Sequence, residues 1–246
     1  MTGWVFLSPH FDDVVLSVGG LVWELAKRGD QVEIWTMCAG DPPSDKPLTD
    51  YAHMLHMFWE LGDQDVPYSR SLEDAASCQV LGAGYQRYTV PDCIYRFHPA
   101  TGLAIINVPD DINTPLEPDE SYLASPVTDF LRKNLPPGCE LVSPLAIGHH
   151  RDHVLTRLAA EKLGLPIWHY VDYPYVMRET YDLKEFIPAG GEQFSLPVSV
   201  QGMQAWQDGI LCHKSQMIML FADEAEMRQA IAAYAESGGG STLWKF

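Results

Sequence analysis

The chain has 246 residues, with 33 acidic against 16 basic side chains and a formal charge of -17. That charge repels phosphate backbones and anionic bilayers, which argues against a nucleic-acid or membrane partner. With 46% hydrophobic and 11% aromatic residues the chain can build a sizeable core, which excludes wholesale disorder. The length suits one α/β domain spanning residues 1–246. The five cysteines are scattered and odd in number, and none forms a Cys-x-x-Cys pair, so neither a disulfide scaffold nor a thiolate zinc site is expected. No charged-then-apolar leader and no membrane-length apolar run is present, and the expected location is cytoplasmic.

Trp4 to Leu7 is a short apolar run that reads as a strand buried on both faces. Pro9 ends it, and His10-Phe11-Asp12-Asp13 leads into a helix over residues 13–28 that Gly29 closes. An alternating, β-branched stretch over 31–38 supplies a second strand, and so compact a strand–helix–strand unit pairs in parallel with a right-handed crossover. Gly19-Gly20 lies inside the helix rather than at a G-x-G-x-x-G turn, which weakens dinucleotide binding. Helices are expected over 48–61 and 68–81, with a third strand over 85–90. The acidic, proline-rich residues 109–119 read as a surface loop, followed by a helix within 120–135. Another buried-type strand, 139–142, ends at Ser143-Pro144, and His149-His150-Arg151-Asp152-His153 opens a helix reaching about residue 163. A strand over 166–171 runs into an aromatic-proline segment, 170–175, with the texture of a binding wall. Helices over 202–220 and 223–235 and a Gly238-Gly239-Gly240 hinge complete a Rossmann-like, three-layer α/β fold on a mostly parallel sheet.

Both polar clusters follow a buried strand and open a helix, so a parallel sheet places them on one edge, where ligands of such folds bind. His10 and Asp13, like His150 and His153, are three apart and share a helix face. Imidazoles with a carboxylate suit Zn²⁺ or another divalent metal such as Fe²⁺, and three ligands with an open position are the pattern of a catalytic site. The expected ligands are His10, Asp13 and His153. The competing reading makes Asp12 or Asp13 a helix cap, which leaves His10 without a role.

Pro9-His10-Phe11-Asp12-Asp13 resembles the Pro-His-Pro-Asp-Asp motif of the PIG-L (LmbE-like) family of metal-dependent N-deacetylases, and His150-Arg151-Asp152-His153 is similar to its His-Pro-Asp-His motif. The resemblance implies zinc-dependent hydrolysis of an N-acetyl group on a small glucosamine-type sugar or glycoconjugate. It implies the same three ligands. With a water made acidic by the metal, Asp12 is the expected general base. His150 is the expected charged donor to the oxyanion, kept cationic by Asp152. Arg70 and Glu73 are similar to the family's Arg-x-x-Glu, Asp92 to its Pro-Asp, and His213 to a His-x-Ser-Gln run, all expected to touch the sugar. His53, His56, His98 and His169 read as structural or surface groups, and Met54, Met57, Phe58 and Leu61 as a core stripe. Phe11 and Arg151 stand where the family has proline, and Val14 where glutamate is common. Alternatives are a same-fold amidase acting on a thiol conjugate, a non-haem Fe(II) oxygenase, and a sugar-binding module without catalysis. Asp12, which hydrolysis needs, argues against the oxygenase, and the intact set of base, ligands and His150 against the binding module.

Overall fold

The computed structural model describes residues 2–63, 65–116, 118–178 and 181–246. The first unit runs β1 (Gly3–Ser8), α1 (Asp13–Lys27), β2 (Gln31–Thr36), α2 (Asp50–Phe58), α3 (Val66–Leu81) and β3 (Gly84–Arg87). The second half follows as α4 (Pro118–Ser121), α5 (Ala124–Asn134), β4 (Glu140–Pro144), α6 (Arg151–Glu161), β5 (Trp168–Tyr170) and α7 (Leu183–Phe186). It closes with β6 (Glu192–Ser195), α8 (Val200–Leu211), α9 (Lys214–Leu220), α10 (Glu224–Glu236) and β7 (Thr242–Lys245). The sheet order is β3-β2-β1-β4-β5-β7-β6, parallel from β3 through β5 and antiparallel beyond.

β1 is central and alternates between two cores, as a strand buried on both faces must. Trp4 and Phe6 pack with Val14, Leu21, Trp206 and Tyr234 on the side of α1, α8 and α10. Val5 and Leu7 pack with Trp35, Leu131 and Leu155 on the side of α5 and α6. Helices therefore cover both faces, and the carboxyl ends of β1 and β4 open on one edge. β1 and β4 are direct neighbours in register at Trp4 with Glu140, so the two polar clusters start side by side.

Several local expectations change in the folded chain. Residues 202–220 form two helices, α8 and α9, broken at Cys212 and His213. Pro109–Asn113 is a short 3-10 turn rather than irregular loop, and Pro118–Ser121 a single helical turn; Glu117 of that stretch lies outside the described residues. On α2 the buried stripe is Tyr51, Ala52, Leu55 and His56, while Met54, Met57 and Phe58 are exposed, Met57 to 79%. Both faces of that helix are apolar at helical spacing, and packing against Cys93–Tyr95 on one side only decides between them. The Gly238–Gly240 stretch is a packed turn into β7 instead of a hinge. A Cβ on Gly239 would meet the Tyr234 ring at 2.0 Å, and one on Gly240 the Trp206 ring at 2.0 Å.

Candidate metal centre and active site

The turn after β1 is built by Ser8. Its hydroxyl donates to the His10 carbonyl at 2.5 Å and accepts the Val14 N–H at 3.2 Å. Asp12 occupies the N-cap position of α1 yet makes no capping hydrogen bond, so helix capping does not explain it. Asp13 folds back instead: its Oδ2 accepts the His10 N–H at 2.6 Å and lies 3.1 Å from His10 Nδ1. The other oxygen, Oδ1, lies 3.2 Å from His153 Nε2. Two imidazole nitrogens from different motifs thus converge on the two oxygens of one carboxylate.

The loop that delivers the second motif is backbone-strained. Ala146 and His149 adopt positive φ, as does Gly148, whose Cβ would strike the Tyr175 ring at 2.4 Å. His150 then caps α6, its Nδ1 accepting the Asp152 N–H at 3.2 Å. The three rings cluster, with centroids of His10 4.8 Å from His150 and 5.7 Å from His153. His149 points away against Tyr181 and Phe186.

His10 and His153 are each backed by a buried carboxylate on the other ring nitrogen. His10 Nε2 meets Asp152 Oδ2 at 2.9 Å, and His153 Nδ1 meets Asp172 Oδ1 at 2.6 Å. Such partners fix the tautomer and aim the remaining lone pair. Asp152 is also held by the Cys93 N–H at 2.9 Å and by Arg96. This corrects the expected Asp152–His150 ion pair: the Asp152 side chain is spent on His10, Cys93 and Arg96, and only its backbone N–H reaches His150. Burial first, then the facing His10 and His153, push His150 well below its ordinary value. With Nδ1 accepting a hydrogen bond, the neutral ring carries its proton on Nε2, making it a neutral donor rather than a cationic one.

Asp12 is buried and engages Arg70, whose Nη2 donates to its Oδ1 at 3.2 Å. Burial raises its carboxyl and the Arg70 guanidinium opposes that rise. Arg70 is stacked between the rings of Trp59 and Phe11, 4.9 and 5.5 Å away, so the Phe11 departure has a local purpose that proline could not serve. Asp92 Oδ2 faces both His10 Nε2 at 3.7 Å and Arg70 at 3.8 Å, while its Oδ1 caps the short helix Cys93–Tyr95.

These groups floor a cleft of about 330 Å³ walled by Tyr51, Leu55, Trp59, Ile94, Tyr175, Met219 and the Pro109–Asn113 turn. Of the expected sugar contacts, Arg70 and Asp92 line it. Glu73 does not: its carboxylate accepts the Ser215 N–H at 2.9 Å and hydroxyl at 2.6 Å, clamping the start of α9. His213 lies behind Asp12 in a tight apolar pocket with Leu16 and Ile210. It is 2% exposed, and burial pushes it down to about 4.

The donor set suits a divalent cation. Five buried carboxylates (Asp12, Asp13, Asp92, Asp152, Asp172) gather here against the guanidiniums of Arg70 and Arg96. In that field Asp13 and Asp172 raise His153 to about 9 despite its burial, and Asp92 and Asp13 likewise hold His10 well above its ordinary value. The carboxylates thus favour positive charge on these imidazoles, and a divalent cation among the same atoms would satisfy the same field in place of the protons. Asp172 and Arg96 were not singled out by sequence reasoning. Asp172 does stand directly beyond β5, the same strand-end position that made the two motifs noticeable.

Residues 5–163 match the GlcNAc-PI de-N-acetylase (PIG-L) family. The chain belongs to that family. It is 30% identical to the 2'-N-acetylparomamine deacetylase of Niallia circulans, over 91% of this chain and 84% of that protein. The zinc-inhibited form of a teicoplanin deacetylase superimposes with a TM-score of 0.83 at 26% identity, covering 99% of this chain and 97% of the other. A deacetylase of the A40926 pseudoaglycone gives 0.71 at 25% identity, over 98% and 95% of the chains. The matched span contains both strand-end clusters described above.

Proposed function

We propose that this PIG-L protein is a zinc-dependent N-deacetylase that releases acetate from an N-acetylglucosamine-type sugar or glycoconjugate. The observation that carries the reading is the convergence of His10 Nδ1 and His153 Nε2 on Asp13, each ring backed by its own carboxylate. His10, Asp13 and His153 would hold the metal. The named relatives, a 2'-N-acetylparomamine deacetylase and a teicoplanin deacetylase, support an acetylated amino sugar as the substrate class.

A divalent metal held by these residues would supply Lewis acidity, lowering the pKa of the attacking water to roughly 7 and polarising the acetamide carbonyl. Asp12 takes the proton of the attacking water and is the group that returns it to the departing amine nitrogen. Arg70 keeps Asp12 aimed at the cleft. His150 donates Nε2–H to the carbonyl oxygen as it becomes an oxyanion. The C–N bond breaks with its electron pair on nitrogen, so water and acetamide give acetate and free amine. With its Nδ1 engaged by backbone, His150 serves as the hydrogen-bond donor and Asp12 carries the proton.

The test is free-amine release from a panel of N-acetylglucosamine conjugates by the metal-loaded protein. Chelator should abolish turnover. Asp12→Asn should lose about 10²–10⁴-fold in kcat while retaining stoichiometric metal. Full activity in Asp12→Asn, or turnover that requires dioxygen, would end the hydrolase assignment.

A further inference from the structure

The second motif departs from its family at Arg151, and the side chain does something no proline can do. Arg151 is the first residue of α6, directly after the capping His150. Proline is favoured at that position because the first N–H of a helix has no intrahelical acceptor and the φ is suitable. His150, with φ -56 and ψ 129, already has the extended backbone that a following proline requires. The helix start would therefore accept proline, and the arginine brings in a buried guanidinium instead, 4% exposed.

Each of its three nitrogens donates a hydrogen bond. Nε donates to the Asp111 carbonyl at 2.9 Å, Nη2 to the Thr114 hydroxyl and Nη1 to the Glu120 carboxylate. Asp111 and Thr114 belong to the Pro109–Asn113 turn and its C-cap, and Pro109, Ile112 and Asn113 face the cleft. No residue of that turn is itself buried. Among the described residues, Arg151 is the side chain that ties the turn to the α/β body by hydrogen bonds, beside the packing of Ile112 on its neighbours. In the other direction Glu120, 1% exposed, lies 3.3 Å from Arg96; Arg96 pairs with Asp152, and Asp152 with His10. Charges alternate from Arg151 through Glu120, Arg96 and Asp152 to a proposed metal ligand. A buried series of this kind resists displacement, since moving one member strands the charge of the next.

We infer that Arg151 is a positioning residue for substrate: it holds the Pro109–Asn113 turn as a fixed wall of the cleft and thereby sets how the acetamido sugar's attached group seats. The kinetic half of the inference rests on the N-deacetylase reading, whereas the structural half stands without it. The experiment compares wild type with R151P, which restores the family's residue, and with R151P/E120Q, which leaves no unpaired carboxylate if the single variant folds poorly. Amide hydrogen exchange over residues 107–114 should accelerate by at least about tenfold, the ratio equivalent to one charge-assisted hydrogen bond. KM for the acetamido-sugar substrate should rise by a similar factor, with kcat within about threefold and metal content unchanged, the pattern of lost uniform binding. Unchanged exchange, or faster exchange with unchanged KM, overturns the inference; so does a fall in kcat accompanied by loss of metal. If wild type deacetylates no acetamido sugar, the deacetylase reading fails while the exchange measurement still decides whether Arg151 anchors the turn.

Discussion

His10 and His153 differ in how their supporting carboxylates are neutralised. Asp152 shares its charge with Arg96 and the Cys93 N–H. Asp172 has His153 and the Ile147 N–H at 3.1 Å, and among the described residues the imidazole is its one ion-pair partner. That makes Asp172 the stronger influence on ligand basicity. Asp172→Asn keeps the shape and removes the charge, and should weaken Zn²⁺ binding by about 10–100-fold in chelator competition. Affinity within a factor of two of wild type would mean that geometry, not charge, is what Asp172 contributes.

At the level of elements, α1 couples the first motif to the helices behind it. The helix departs from regular φ/ψ at Val18, and Gly19 and Gly20 follow. Trp206 of α8 fills the space that their missing side chains leave, its Nε1 donating to the Val15 carbonyl at 2.6 Å. A Cβ on Gly19 would lie 2.5 Å from the Trp206 ring, and one on Gly20 2.8 Å. The glycine pair is thus a packing device, consistent with its position inside the helix and not at a nucleotide-binding turn. Gly19→Ala gains helix propensity but overpacks a buried indole, and a net loss of about 1–3 kcal/mol is expected. In a chain of this size that is a fall in Tm of roughly 2–12 °C, read by calorimetry of the metal-loaded protein. An unchanged or raised Tm would show that α8 can retreat without cost. The kink and the Trp206 contact involve residues almost two hundred positions apart, which is why local sequence pattern locates the helix but not its partner.

Across the whole molecule, acid stability is governed in part by imidazoles folded in their neutral form. His169 in β5 is buried and stacked on Phe246 at 4.8 Å. Burial first, then Arg157, push it down to about 4. A histidine whose folded value lies below its unfolded value of about 6.5 adds its full stability above that pH. The contribution is lost as pH falls from about 6.5 through 4, because only the unfolded chain takes up the proton. The loss is at most about 3 kcal/mol for this group. His169→Phe should therefore show a smaller drop in Tm between pH 7 and pH 5 than wild type; equal drops would contradict the assignment. Among the described residues no helix is long and apolar enough to cross a membrane. What the amino-acid order settled by itself is what depends on neighbours in the chain. The buried β1 and β4 runs, the breaks after them, and the His10/Asp13 and His150/His153 spacings fix two strand-to-helix turns on one sheet edge. The tertiary structure alone decided which carboxylate serves which imidazole, that Glu73 clamps α9, and that the Met57 face of α2 is solvent-exposed. The partners of Asp152 come from positions 10, 93 and 96, and a side chain with several possible acceptors and donors is assigned only when folding brings one set of them within reach.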